Sequence, residues 1–198
     1  MSLCVFQGTF NPIHKAHIDV ALFAKKHYGF DKILFIPAHV PPHKNIDNNM
    51  AMHRFNMVKI AISNYKDFQV SDIEYKNLGC SYTYNTIMAL KKQYKTGNEK
   101  INFLIGTDAF LKIESWYKSN ELKKHIHFIV FPRTEKFNKL DFLPLEFKGY
   151  DFEFAPMPFT DISSTQLRER VTQGNSINNI TLPQVKEYIR ANKLYSAR

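Results

Sequence analysis

The sequence predicts an α/β fold: a Rossmann-like, doubly wound, mostly parallel sheet with helices on both faces and a short helical C-terminal segment. Three observations carry this. Short apolar runs alternate with longer helix-like stretches, as in a series of βαβ units. Two of the runs, Ile33-Leu34-Phe35-Ile36 and Phe103-Leu104-Ile105, are continuously apolar, which suits strands covered on both faces. Gly8 ends the first run just ahead of a helical pattern, where a first strand would hand over to a first helix.

In chain order, the first strand is expected at Leu3–Gln7 and the first helix at Lys15–Tyr28. A second strand at Lys32–Pro37 and a helix at Met50–Asn64 follow, then a third strand at Phe68–Ile73 and a helix at Tyr84–Tyr94. The fourth strand, Lys100–Ile105, leads into a shorter helix after Asp108, and the fifth is His125–Phe131. The remainder reads as a short strand near Phe152–Ala155 and two helices, Ser164–Gln173 and Leu182–Ala191. Right-handed crossovers gather the loops beyond the strand C-termini along one edge. Gly8, Pro37–Lys44, Gly106–Asp108 and Pro132-Arg133 should therefore meet there.

At 198 residues the chain suits one domain, 1–198, with a helical C-terminal part from about residue 162. No apolar run nears the roughly 20 residues that cross a bilayer. No secretory signal is visible at the N-terminus, and two cysteines, Cys4 and Cys80, make neither a disulfide framework nor a zinc pattern. A cytoplasmic setting without membrane attachment is the expectation. The net charge of +9 favours anionic partners. Its lysines are scattered rather than gathered in an arm, and solvated helix faces account for scattered lysines.

The most informative stretch is Gly8-Thr9-Phe10-Asn11-Pro12-Ile13-His14-Lys15-Ala16-His17. Free N–H groups at a helix start, aided by the helix dipole, attract anions. His14 and His17 are three apart and would share one face of a helical turn. A histidine there is commonly a plain surface or packing residue, so this stretch alone leaves both readings open. Neither G-x-G-x-x-G nor a P-loop is present. A second anion-site candidate, Ile162-Ser163-Ser164-Thr165-Gln166-Leu167-Arg168, offers three hydroxyls at a helix start with Arg168 one turn inside. By itself it is also an ordinary N-cap.

Together these segments resemble the H-x-G-H and I-S-S-T-x-x-R signatures of the nucleotidylyltransferase superfamily, in the order and at the opposite chain ends where that family has them. Pro37-Ala38-His39-Val40-Pro41-Pro42-His43-Lys44, Ser81-Tyr82-Thr83-Tyr84-Asn85-Thr86 and Leu104-Ile105-Gly106-Thr107-Asp108 with Trp116 are similar to segments of bacterial nicotinate-nucleotide adenylyltransferases. Leu182-Pro183 through Leu194-Tyr195 matches their closing helix. Two positions depart from the pattern: Gln7 stands where a glycine is usual, and Ala16 replaces the glycine of H-x-G-H. Alanine favours a helix over glycine by up to about 1 kcal/mol, whereas the Gln7 side chain is expected to crowd the nucleotide.

The resemblance implies transfer of the adenylyl group of ATP to nicotinate mononucleotide, giving deamido-NAD and pyrophosphate in NAD biosynthesis. It implies that Gly8, Thr9, Phe10, His14, His17, Gly106, Asp108, Ile162, Ser163, Ser164, Thr165 and Arg168 hold ATP. His14, His17, Lys44 and Arg168 would act on the transferring phosphate, through charge stabilisation rather than as nucleophiles. Lys44, Thr83, Tyr84, Trp116 and Arg133 would receive the mononucleotide. Trp116 could stack on a pyridine ring or simply pack. Asp108 could accept from a ribose hydroxyl or cap a helix, and the Arg133 fork suits a phosphate. No protein-bound metal is expected, because Mg²⁺ prefers oxygen ligands and arrives on the ATP phosphates.

Phosphopantetheine adenylyltransferase shares both signatures, but the Ser81-Tyr82-Thr83 and Gly106 to Trp116 segments argue against it. Nucleic-acid binding rests on the charge alone. The sequence leaves oligomeric state open, a homodimer being one arrangement, as well as the choice between nicotinate and nicotinamide mononucleotide.

Overall fold

A computed structural model describes residues 2–42, 49–76 and 79–196. Lys44 and His43 of the proline-rich loop lie outside the described residues. Six strands, β1 (Leu3–Gly8), β2 (Lys32–Pro37), β3 (Phe68–Val70), β4 (Ile101–Gly106), β5 (Ile126–Phe131) and β6 (Phe152–Phe154), form one sheet in the order β3-β2-β1-β4-β5-β6. Each of the five pairings is parallel, so the mostly parallel sheet of the sequence reading is parallel throughout the described residues. The helices are α1 (Lys15–Tyr28), α2 (Met50–Ile62), α3 (Thr83–Tyr94), α4 (Thr107–Phe110), α5 (Ser119–Leu122), α6 (Leu143–Phe147), α7 (Ser164–Thr172) and α8 (Pro183–Ala191).

Side chains alternate across a strand, and here each alternation meets its own core. Cys4 and Phe6 of β1, with Ile33 and Phe35 of β2, pack against apolar residues of α1, α2, α7 and α8. Val5, Leu34 and Ile36 face the opposite way, onto Ile87 and Leu90 of α3, Phe110 of α4 and Leu145 of α6. This double covering is why the central strands are continuously apolar. Truncating a ring as enclosed as Phe35, 0% exposed, would cost about 3–5 kcal/mol.

Element ends differ slightly from the sequence reading. β3 stops at Val70 rather than Ile73, because it is an edge strand with one neighbour, β2. α2 stops at Ile62, where the Ser63 N–H turns back to the Ile60 carbonyl at 3.4 Å. α1 ends where Gly29 takes the left-handed conformation, φ 69°, and its N–H reaches the Lys25 carbonyl at 3.1 Å. The strand order reverses between β1 and β4, the neighbouring first strands of the two halves. A crevice for ligands belongs beyond the C-terminal ends of those two strands.

Candidate active site

An open cleft of about 820 Å³ lies at that switch point. It brings together Gly8, Thr9 and Phe10 at the first turn, His17 of α1, Gly106 at the end of β4, Asp108, Trp116, Arg133 after β5, and Ser163, Ser164, Thr165 and Arg168 from the start of α7. Gly8 and Arg168, 160 positions apart in sequence, thus face one space.

The first loop is held from both sides. Phe10 adopts a left-handed backbone, φ 46°, a conformation uncommon outside glycine. This turns its ring inward against Phe6 at 5.4 Å and His17 at 5.0 Å. The ring sits so close that a Cβ at Gly8 would approach it to 3.1 Å, which is the local reason for the glycine. Phe10 therefore serves the cleft mostly by supporting His17.

The two histidines differ. His14 is not on the helix but caps it, with an extended backbone of φ −144° and ψ 175°. Its ring still lies 3.7 Å from that of His17. The His17 Nδ1 accepts the His14 backbone N–H at 3.2 Å, so a neutral His17 ring carries its proton on Nε2 as a donor. His14 is 0% exposed, and neither of its buried ring nitrogens has a hydrogen-bond partner among the described residues. Burial first, and the nearby Arg133 charge second, lower its pKa to about 3. Both act against the charged form, so His14 is a neutral imidazole at physiological pH.

The second half of the cradle is stapled to the first. Ser163 caps α7 by accepting the Gln166 N–H at 3.2 Å, while the Ser163 N–H donates to Gln166 Oε1 at 2.9 Å. This reciprocal box leaves the neighbouring hydroxyls for other work. Ser164 donates to the Pro12 carbonyl at 2.9 Å. Arg168 donates to the Asn11 carbonyl at 2.8 Å and to the Thr165 hydroxyl at 3.3 Å. Ile162 stands just before this turn and is not among the cleft-lining residues. From further along the chain, the Tyr195 hydroxyl donates to Asn11 Oδ1 at 2.8 Å and the Thr181 hydroxyl to the Ile13 carbonyl at 3.3 Å.

On the opposite wall, Gly106 precedes α4 where a Cβ would have to displace neighbouring side chains. A Cβ would meet Arg133 Cγ at 2.5 Å and Asp108 Oδ1 at 2.8 Å. Arg133 Nε lies 3.8 Å from Asp108 Oδ1. Trp116 borders the cleft and also packs on the core beneath α3, so stacking and packing are both open to it. Its neighbour Tyr117 stacks on Tyr82 at 4.5 Å. Thr83 and Tyr84 do not line the main cleft. They form the first turn of α3, whose N–H groups precede the helix's own bonding ladder, beside a smaller hollow of about 420 Å³ bordered by Ser81 and Tyr82.

Gln7 lines the cleft, and its side-chain amide donates to Glu74. Sequence reasoning passed over Asn11 and Tyr195 as site residues, and also the buried pair Arg54 and Glu74. Arg54 occupies a core-facing position of α2 beside Ala51, Met57 and Val58, and an arginine on an apolar helix face was the available signal.

A model of the family described as cytidylyltransferase-like matches residues 5–170. The chain belongs to the cytidylyltransferase-like family. Among relatives, it is 38% identical over 199 residues to a probable nicotinate-nucleotide adenylyltransferase of Caldicellulosiruptor saccharolyticus, covering 98% of this chain and 99% of that one. A protein of the same description from Carboxydothermus hydrogenoformans is 34% identical, with 96% of each chain covered. In fold, the chain is similar to Plasmodium falciparum nicotinic acid mononucleotide adenylyltransferase complexed with NaAD, with a TM-score of 0.81 and 24% identity, covering 98% of this chain and 97% of that one. The matched span holds both the Gly8–His17 and the Ser163–Arg168 segments, which line one cleft. Among the described residues, no group of three or more His, Cys, Asp or Glu could hold a metal ion, and no helix is long and apolar enough to cross a membrane.

Proposed function

We propose that this protein transfers the adenylyl group of ATP to nicotinate mononucleotide, forming deamido-NAD and pyrophosphate, a step of NAD biosynthesis. One observation carries the reading: the H-x-x-H loop and the Ser163–Arg168 turn, from opposite ends of the chain, line one cleft at the switch point of the sheet. A phosphate oxygen of the mononucleotide attacks the α-phosphorus of ATP. The new P–O bond forms as the bond from the α-phosphorus to the bridging oxygen breaks, and pyrophosphate leaves with that oxygen. No protein nucleophile is required. What the chain supplies is alignment and charge stabilisation.

In this scheme His17, as a donor through Nε2, and Arg168 meet the growing charge on the phosphate oxygens. Thr9, Ser163, Ser164 and Thr165 supply hydroxyls and helix-start N–H groups. His14, neutral and enclosed, backs the His17 ring, and Lys44 adds a cation. Mg²⁺ enters on the triphosphate as part of the substrate. Asp108 receives a ribose hydroxyl, Trp116 stacks on the pyridine ring, Arg133 holds the mononucleotide phosphate, and the N–H groups of Thr83 and Tyr84 receive the nicotinate carboxylate. A carboxylate suits that helix start better than a neutral carboxamide, which favours nicotinate over nicotinamide.

We read residues 1–198 as one domain, since Val185, Ile189 and Leu194 share a core with Phe6 and Phe35. A cytoplasmic location fits its substrates and its two free cysteines, Cys4 and Cys80. Purified protein given ATP, Mg²⁺ and either mononucleotide should release pyrophosphate faster with the nicotinate form. Release with phosphopantetheine alone, or salt-sensitive DNA binding without turnover, would overturn the reading.

A further inference from the structure

Two buried charged side chains take no part in the chemistry above: Arg54 on α2 and Glu74 after β3. They are 0% and 3% exposed; neither lines the main cleft, and Glu74 borders the smaller hollow at the start of α3. A charge survives burial only when hydrogen bonds meet it, so the identity of those bonds matters. Both side chains reach the same short segment, Ala38-His39-Val40, at the root of the proline-rich loop.

Arg54 Nη1 donates to the Thr9 carbonyl at 2.9 Å and also to the Ala38 carbonyl, and Nη2 donates to the His39 carbonyl at 2.9 Å. Glu74 accepts the His39 N–H at 3.2 Å, the Thr86 hydroxyl at 2.7 Å and the Gln7 amide. The Ala38 N–H donates to the Gly8 carbonyl at 2.9 Å. The Val40 N–H donates to the Ser81 hydroxyl at 3.0 Å, and the Ser81 N–H returns to the Val40 carbonyl at 2.8 Å. Every backbone N–H and carbonyl of Ala38–Val40 is therefore engaged. The partners come from β1, α2, the segment after β3 and the approach to α3.

The geometry bridges the two halves of the site. On one side stand Gly8 and Thr9, of the phosphate-gripping loop. On the other stand Ser81 and Thr86, which flank the start of α3. We infer that Arg54 and Glu74 are positioning residues that hold Ala38–Val40 as a strut and so fix the separation and orientation of the ATP and mononucleotide subsites. This rests on the adenylyltransferase reading. A strut of this kind has a specific signature. A ligand that fills one subsite is indifferent to where the other lies, whereas a ligand that spans both gains from their being in register.

The test compares affinities for AMP, nicotinate mononucleotide and deamido-NAD in the native protein, Arg54→Lys and Glu74→Gln, by calorimetry. Lysine keeps the charge of Arg54 but cannot fork to two loops. Glutamine keeps the shape of Glu74 and loses its charge. The expected result is that each variant binds AMP and the mononucleotide within about threefold of native, while deamido-NAD loses about tenfold or more. Equal losses for all three ligands, or an undiminished advantage of the dinucleotide, overturn the strut. Failure of both variants to fold overturns it too, leaving Arg54 and Glu74 as plain core support; if one folds, that one decides. Pyrophosphate release by the native protein is followed in parallel. Its absence overturns the adenylyltransferase reading, whereas native turnover with a retained dinucleotide advantage in the variants overturns the strut alone.

Discussion

The imidazole of His14 lies 3.7 Å from that of His17, centroid to centroid, yet of the two only His17 lines the cleft. Two residues of one signature thus hold different physical positions. His17 faces the cleft, while His14 lies behind it, neutral and enclosed. His17→Ala is expected to lower kcat for pyrophosphate release by about 10²–10³, with a smaller change in ATP affinity. Steady-state kinetics beside equilibrium ATP binding separates the two, and an unchanged kcat removes His17 from the transition state.

His14 makes a prediction about pH and stability. Its folded pKa is lowered to about 3, while an unfolded histidine titrates near 6.5. Between those values the unfolded chain holds the extra proton, so stability rises with pH. The contribution is fully present above pH 6.5 and is lost as pH falls towards 3. Acidification from pH 7 to pH 5 should cost roughly 2 kcal/mol through this one residue. Urea unfolding of His14→Gln should show a correspondingly flatter pH dependence than the native protein, and parallel curves would refute the assignment.

Gly106→Ala tests the opposite wall. The added methyl would press on Arg133 Cγ at 2.5 Å and on Asp108 Oδ1 at 2.8 Å. Both are side chains at the cleft edge, so they can give way without unfolding the sheet. We expect KM for the mononucleotide to rise by about tenfold, equivalent to a ΔΔG of about 1.4 kcal/mol. The melting temperature should move little. A large fall in melting temperature with native KM would place the glycine's role in β4 instead.

Trp116 is the sole tryptophan, so its fluorescence reports on one place. Nicotinate mononucleotide should quench it on binding, and AMP should do so far less. Trp116→Phe should keep most of the mononucleotide affinity, and Trp116→Ala should lose about 1 kcal/mol of it. No quenching by saturating mononucleotide would leave Trp116 as a packing residue.

Much of this molecule was legible in its sequence, for identifiable reasons. Lys32–Pro37 and Lys15–Tyr28 were readable to the residue because a doubly covered strand and a glycine-capped helix each leave a local pattern. The Gly8–His17 and Ser163–Arg168 turns were readable as one site because both signatures are short and ordered. Arg54 and Glu74 were not, since their bonds run to carbonyls and N–H groups distant in sequence, and such satisfaction has no periodicity. The enclosure of His14 was hidden for the same reason: the spacing of three gives its neighbour but not the side from which the core closes. The tether of Gln7 was hidden as well, because its partner Glu74 lies 67 positions away.

The bond between the Tyr195 hydroxyl and Asn11 joins residues 184 positions apart. A ribosome adding about 5–20 residues per second makes the loop at residues 8–14 long before Tyr195, its fastening. Until Tyr195 is made, the nascent chain carries that loop without this latch. A chain stalled short of Tyr195 is therefore expected to hold residues 8–14 less firmly than the finished fold does.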